Sequence, residues 1–255
     1  MMKRNTLLLI MLLAAFSWPL AAQQQETQWF DEANEAYNAG RYDTALMLYE
    51  KILDADVESA TLYYNMGNAS YKRSDFPMAI YYYEKALKLD PGNDDIKTNL
   101  AIANLAIVDK IEPVPQSFIS RGWQRLKALF SSDGWAKVSL VVFALLLLSA
   151  FLFFRGRRLA LRKLGFFVGL FMLVATVLSA VFASQLKHEA LHCDHAIIMS
   201  PTVNVKSQPN ASSIDLFVLH EGSKVTILDQ SDGWNKIRIA NGSLGWLPEE
   251  SMRPF

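Results

Sequence analysis

Two apolar runs with a knot of cations between them constrain this chain more than anything else in it. Ala136 to Phe154 is nineteen residues long and carries one charge, Lys137, at its start. Leu164 to Ser184 is twenty-one residues long and carries none. At a rise of about 1.5 Å per residue each run makes a helix of roughly 28–32 Å, the thickness of a hydrocarbon core. Lipid cannot satisfy backbone N–H and C=O groups, so each run is expected to be helical. The alternative for such a run is the core helix of a soluble protein. Between the runs lie Arg155, Arg157, Arg158, Arg162 and Lys163, five cations and no acid within nine residues. Short loops rich in Lys and Arg stay cytoplasmic. The reading is therefore a two-pass hairpin in the inner membrane. Its helices are expected at 136–154 and 164–185, joined by a cytoplasmic loop at 155–163, with both outer ends periplasmic. Trp135 is placed to anchor the first helix at the interface.

The N-terminus agrees with this sidedness through different residues. Lys3 and Arg4 precede an apolar run, Thr6 to Phe16, followed by Pro19 and Leu20-Ala21-Ala22. That pattern predicts a signal peptide over 1–22, with an uncleaved anchor as the alternative. Formal net charge is zero, so electrostatics make no case for nucleic acid. A single cysteine, Cys193, rules out an intramolecular disulfide framework. No phosphate-binding glycine loop and no nucleophile in a recognisable setting is present, and no cofactor is expected.

From Glu26 the chain repeats with a period of 34. Tyr37 returns as Tyr71, Tyr42 as Phe76, Ala45 as Ala79, Tyr49 as Tyr83, Glu50-Lys51 as Glu84-Lys85, Leu53 as Leu87 and Asp56 as Asp90. Each unit reads as a helix pair, 26–39 with 42–54 and 60–73 with 76–89, stopped by Gly40 and by Asp90-Pro91-Gly92. These residues resemble the tetratricopeptide repeat family. Tyr63, Met66-Gly67, Ala79, Tyr83, Ala86 and Pro91 follow its pattern, while Ala33 and Val57 depart from it in unit one. The resemblance implies a repeat domain over 23–111, with units 26–59 and 60–93 and a cap helix at 94–110. It also implies protein or peptide binding on a concave face. Peptide-binding candidates there are Asn34, Tyr37, Tyr64, Asn65, Asn68 and Lys72, beside Phe30, Asn38 and Asn99. Asn34 and Asn65 match two positions of the family's carboxylate clamp. Phe30, Asp95 and Asn99 stand where its cations belong.

Glu112-Pro113-Val114-Pro115 stiffens the exit from the repeats. Within the linker 112–135, Ile119, Trp123, Leu126 and Phe130 share one helical face, with Arg121, Arg125 and Lys127 elsewhere. This predicts a basic amphipathic helix lying in the membrane interface; the alternative is a helix packed on the repeats. Beyond the hairpin, in a linker expected at 186–194, His188-Glu189-Ala190-Leu191-His192 spells H-E-x-x-H. On a helix two such histidines share a face and bind zinc, with the glutamate as general base. The alternatives are a zinc site on His188 and His192 with Cys193, His195 or Glu221 as third ligand, and a metal site without catalysis on His188, His192, Cys193 and His195. A polar helix end is the major reading, so no enzyme activity and no metal is expected.

From His195 short β-rich runs alternate with turns, which predicts a small closed barrel over 195–255. The strands are expected at 196–199, 203–205, 216–219, 224–228, 234–239 and 244–247, and Asp229 to Asp232 at a turn. Val203-Asn204-Val205-Lys206-Ser207, Glu221-Gly222-Ser223, Gly233-Trp234 and Gly245-Trp246 resemble the bacterial SH3-like family. That resemblance implies binding of peptides or peptidoglycan, with Trp234 and Trp246 as contacts; core packing is the alternative for both. The fold class is multidomain: all-α repeats, a two-helix membrane hairpin and an all-β SH3-like barrel. Taken together, the order of modules resembles the BatE family of the Bat aerotolerance-operon group. Membership implies work beside other Bat-family membrane proteins and a MoxR-type ATPase in envelope stress or aerotolerance. The function expected is a non-enzymatic membrane scaffold with protein partners. The alternatives are a membrane zinc hydrolase using residues 188–192 and a peptidoglycan-binding sensor.

Overall fold

Helical punctuation in residues 25–106 sets the first layer. A computed structural model describes residues 25–112, 114–115, 117–191 and 194–255; the signal-peptide reading over 1–22 lies outside them. Helix α1 spans 25–38 and ends at Gly40, whose φ of +74° suits glycine. Then follow α2 (Tyr42–Leu53), α3 (Ala60–Lys72), α4 (Phe76–Leu89) and α5 (Asp94–Ala106). Side-chain caps start three of them: Ser59 accepts from Leu62 N, Asp75 from Met78 N, and Asn93 from Asp95 and Ile96 N. Ala33, Ala36, Ala45, Ala69, Ala79 and Ala86 are buried at the crossings, with Tyr49, Tyr63 and Tyr83 filling the space between. Gly67 is small for a direct reason. A Cβ there would lie 2.5 Å from the Tyr83 ring.

The cap is shorter than the expected 94–110. Helix α5 ends at Ala106. Ile107 packs against the repeat core and Ile111 against the barrel. Long-range contact with the barrel, invisible to a local helical pattern, takes this stretch out of the helix.

Helix α6 (Phe118–Lys127) leads into the hairpin, α7 (Ser132–Arg155) and α8 (Leu159–Leu191). Both hairpin helices are long and apolar enough to cross a membrane, each with a mean hydropathy of 2.5. Gly165 lets them touch: a Cβ there would sit 2.7 Å from Phe153 N and 2.8 Å from Ser149 O. Side chains such as Leu140, Phe151, Phe167 and Phe171 point outward, as lipid-facing residues do. The loop is tighter than 155–163. Arg155 closes α7, and Arg162 and Lys163 already lie on α8, with the Arg162 guanidinium 5.6 Å from the Phe153 ring.

Likewise 186–194 is not simply a linker, because α8 runs on to Leu191. Helix α6 supports that extension. Trp123 meets Phe182 at 4.8 Å, and Trp135 meets it at 5.0 Å while its Nε1 donates to Lys127 O. Lys127, itself buried, ion-pairs Glu189 at 2.7 and 2.9 Å. The same C-terminal end of α6 touches the repeats, since a Cβ on Gly92 would meet Ala128 O at 2.7 Å. Phe118 and Ile119 stay exposed. The helix therefore bridges hairpin and repeats and still presents an apolar edge.

The C-terminal sheet has strands β1 (His195–Ile198), β2 (Thr202–Lys206), β3 (Asp215–His220), β4 (Lys224–Ser231), β5 (Trp234–Arg238), β6 (Leu244–Pro248) and β7 (Met252–Pro254). Their order is β3-β2-β6-β5-β4-β1-β7, antiparallel at every pairing. Asp232 and Gly233, both at positive φ, make the two-residue turn of the β4–β5 hairpin. Strand β4 consequently reaches Ser231, further than the expected turn at 229–232 allowed. Strand β7 is absent from the sequence expectation. Three residues ending in proline show no alternation, and only pairing with β1 makes them a strand.

The barrel docks on the repeats. Ile197 and Phe255 join the repeat core, with Phe255 edge-on to Tyr81 at 6.1 Å. Arg253 lies 4.6 Å over the Tyr81 ring, and Lys224 pairs with Glu84 at 2.6 Å.

Candidate ligand-binding faces

The concave side of the repeats carries a polar ladder that repeats at the period of the sequence. In its first rung the Tyr49 hydroxyl donates to Asn34 Oδ1 at 2.7 Å, and Asn65 Nδ2 donates to the same oxygen at 3.1 Å. In its second rung Tyr83 donates to Asn68 Oδ1 at 2.7 Å and Asn99 Nδ2 to the same oxygen at 2.9 Å. Every member of the second rung stands 34 positions after its counterpart. Asn99 Nδ2 also donates to the Tyr64 hydroxyl at 3.0 Å. The aromatic packing repeats too, as Phe30–Tyr49 and Tyr64–Tyr83, each at 6.0 Å.

Burial, opposed by the Asn65 hydrogen bond and aided by Tyr37, pushes the Tyr49 phenol up to about 12. Burial likewise raises Tyr83, with Tyr64 adding to it. Both hydroxyls therefore remain donors near neutral pH. Each fixes an asparagine carbonyl and leaves the amide of Asn34 or Asn68 as a donor for something else.

Two adjoining depressions open on this ladder. One, of about 330 Å³, is lined by Tyr37, Tyr64, Asn68, Tyr71, Lys72, Tyr83, Asn99 and Ile102. The other, of about 360 Å³, is lined by Asn34, Tyr37, Asn38, Tyr49, Asn65 and Asn68. The structure thus brings together all six repeat-domain candidates. It adds Tyr49, Tyr83, Tyr71 and Ile102, which the sequence reading did not place there. The equal spacing of Asn34/Asn68, Asn65/Asn99 and Tyr49/Tyr83 was the available signal. Among the described residues Lys72 is the only cation lining either depression, and no acid lines them. The surface suits a backbone or amide ligand better than a strongly anionic one.

Trp234 and Trp246 lie on the outer face of the β5–β6 ladder. Trp234 pairs with Pro248, and Lys236 with Trp246. The alternating residues Ile237 and Leu247 point into the core instead. Both tryptophans are half-buried and neither belongs to the barrel core. Lys236 Nζ lies 6.0 Å from the Trp246 ring centre. Rings, proline and cation form a platform for stacking.

Of the H-E-x-x-H stretch, the structure describes the part carried by α8. His188 and Glu189 are on α8, but Lys127 engages the Glu189 carboxylate. His192 and Cys193 lie outside the described residues. His195 opens β1, its ring 6.0 Å from Phe255 and its Nδ1 buried without a hydrogen-bond partner. Among the described residues no three His, Cys, Asp or Glu side chains are grouped to hold a metal.

Burial first, then Lys224 and Lys88, hold the His195 imidazole below its ordinary value; Glu84 and Asp194 oppose them. A folded pKa below the unfolded one, about 6.5, gives stability that is present above 6.5 and lost as pH falls toward the folded value. Thermal unfolding of the full chain in detergent is expected to show the midpoint falling between pH 7.5 and 5.5. The fall should be smaller in His195→Gln.

Comparison with known families agrees with this geometry. Residues 60–93 match the tetratricopeptide repeat family model, and residues 201–252 match the bacterial SH3 domain model. No curated protein matches the chain. The class is thus defined by its modules: a helical repeat domain, two long apolar helices and an SH3-like all-β domain. Unit one falls outside the family match, yet it carries the same Tyr–Asn–Asn rung as unit two.

Proposed function

We propose that this chain is a non-enzymatic, membrane-anchored scaffold that holds protein partners in the periplasm. In this reading it belongs with the BatE proteins of the Bat aerotolerance-operon group and assembles with other Bat-family membrane proteins. The hairpin anchors it in the inner membrane, with the cation-rich turn cytoplasmic and both binding modules outside. One observation supports the reading above the others. The asparagine ladder is fully built, repeats by unit, and is left open beside two depressions.

The mechanism is recognition. The Asn34 and Asn68 amides donate to carbonyls of a bound segment while Tyr37, Tyr64 and Tyr71 pack against its side chains. Removing one such hydrogen bond costs about 0.5–1.5 kcal/mol. Asn68→Ala is therefore expected to weaken partner binding severalfold, without dissolving the fold. Affinity purification from detergent-solubilised native membranes, with mass spectrometry, checks this. Bat-type membrane proteins should copurify with the wild type and be depleted in Asn34→Ala/Asn68→Ala. Recovery of the bare chain from membranes that contain those proteins overturns the reading.

The tryptophan platform favours a second, compatible role in binding peptidoglycan through stacking on Trp234 and Trp246. Full-length protein should then pull down with cell-wall sacculi and lose that association in Trp234→Ala/Trp246→Ala.

A further inference from the structure

Asp109 is the most heavily engaged carboxylate outside the helices, and the groups that hold it belong to the barrel. The backbone N–H of His220 donates to Asp109 Oδ2 at 2.7 Å, and the Ser223 hydroxyl donates to the same oxygen at 2.6 Å. His220 Nδ1 lies 2.8 Å from Oδ1. Burial pushes the Asp109 carboxyl up, but the bonds from Ser223 and from the His220 backbone and ring outweigh it. They hold the carboxyl below the ordinary range. An ionised carboxylate only accepts, so Nδ1 carries a proton.

Hydrogen bonds within the barrel arrange these donors. Gly222 N donates to Ile198 O at 2.8 Å, Ile198 N to Ser223 O at 3.0 Å, and Ser223 N to His220 O at 3.3 Å. Gly222 sits at a φ of +84°, and a Cβ there would collide with Ile107 Cγ2. The β3–β4 turn is thus pinned from within, with a carboxylate seat on one side and a bare glycine on the other.

The chain segment in this seat meets the barrel at several points along its length. Ile107 stands two residues before Asp109 and packs over Gly222. Ile111 stands two residues after it and packs on the barrel core. Further along, Val114 N donates to Ala240 O at 3.1 Å. The contacts run from the β3–β4 turn to the β5–β6 turn, on a stretch that joins α5 to α6.

We propose that the β3–β4 turn is a carboxylate-recognition notch of the barrel, filled in cis by residues 107–112, and that its ligand class is an extended acidic peptide of the pattern apolar-x-Asp-x-apolar. A partner segment of that kind displaces Asp109. It thereby frees the connection between α5 and α6, so notch occupancy sets how tightly the repeats and the barrel are tethered. This site is separate from the asparagine ladder and the tryptophan platform, and its test does not depend on either.

The test uses the full chain in detergent and a fluorescein-labelled peptide with the sequence of Ile107 to Glu112, read by anisotropy. Asp109→Ala removes the cis competitor and is expected to bind this peptide at least about tenfold more tightly than the wild type. That is the scale of losing charge-assisted hydrogen bonds from the cis segment. A control peptide with Asn in place of the Asp should not bind, and Ser223→Ala added to Asp109→Ala should weaken binding about tenfold. Equal binding by wild type and Asp109→Ala, or by the Asp and Asn peptides, overturns the proposal. A second measurement serves if Asp109→Ala does not fold. Excess unlabelled peptide added to the wild type should speed hydrogen exchange at the amides of 107–112 and 114. Unchanged exchange there at saturating peptide also overturns it.

Discussion

Tyr83→Ala is expected to cost the repeat lobe about 3–5 kcal/mol, the range for deleting a buried aromatic ring. The ring is 2 % exposed, lies against the bare face of Gly67, and its hydroxyl fixes Asn68. Whole domains are stable by only about 5–15 kcal/mol. For a lobe of this size the loss corresponds to a fall in Tm on the order of 20 °C. Hydrogen exchange of α3 and α4 in the full chain measures it directly. Tyr83→Phe keeps the ring and loses only the hydroxyl, so its cost should be near 1 kcal/mol. A Phe variant as damaged as the Ala variant would show that the hydrogen bond, and not the packing, carries the stability.

The second large effect is in the hairpin. Gly165 faces backbone atoms of α7, Phe153 N and Ser149 O, which cannot swing aside as a side chain can. Gly165→Leu should therefore force the two helices apart along their contact. A disulfide reports this well. A Cβ at Gly169 would lie 3.6 Å from Ser149 Cβ, within the span of a disulfide. In a Cys193→Ser background, Ser149→Cys/Gly169→Cys is expected to crosslink on mild oxidation. Adding Gly165→Leu should abolish the crosslink. Crosslinking that survives would mean that α7 and α8 meet by another face.

Much of the fold was legible because its signals are local or periodic. The 34-residue period locates helix pairs, since the same small and aromatic positions must recur wherever identical units stack. Unbroken apolar runs of about twenty residues locate the two long helices, since runs of that length and hydropathy are a helix signal. Alternation and turn residues locate six of the seven strands. The concave candidates were legible as positions. What Asn34 and Asn68 do was not, because a hydrogen-bond rung joins residues 15 and 31 apart and depends on helix packing.

The departures share one cause. Residues 107–110 leave the expected helix because Ile107 and Asp109 meet the barrel. Helix α8 continues to Leu191 because Lys127 and α6 lie beside it. Strand β7 exists because β1 has an edge to offer. In each case the deciding partner is remote in sequence, and no window along the chain contains both sides of the contact.

By itself the sequence determined the modules, their order and the pair of long apolar helices, since periodicity and hydropathy act residue by residue along the chain. Only the tertiary structure decided that barrel and repeats share a core through Ile197 and Phe255, and that Asp109 locks the passage between them. Those contacts require surfaces that exist only after each module has folded.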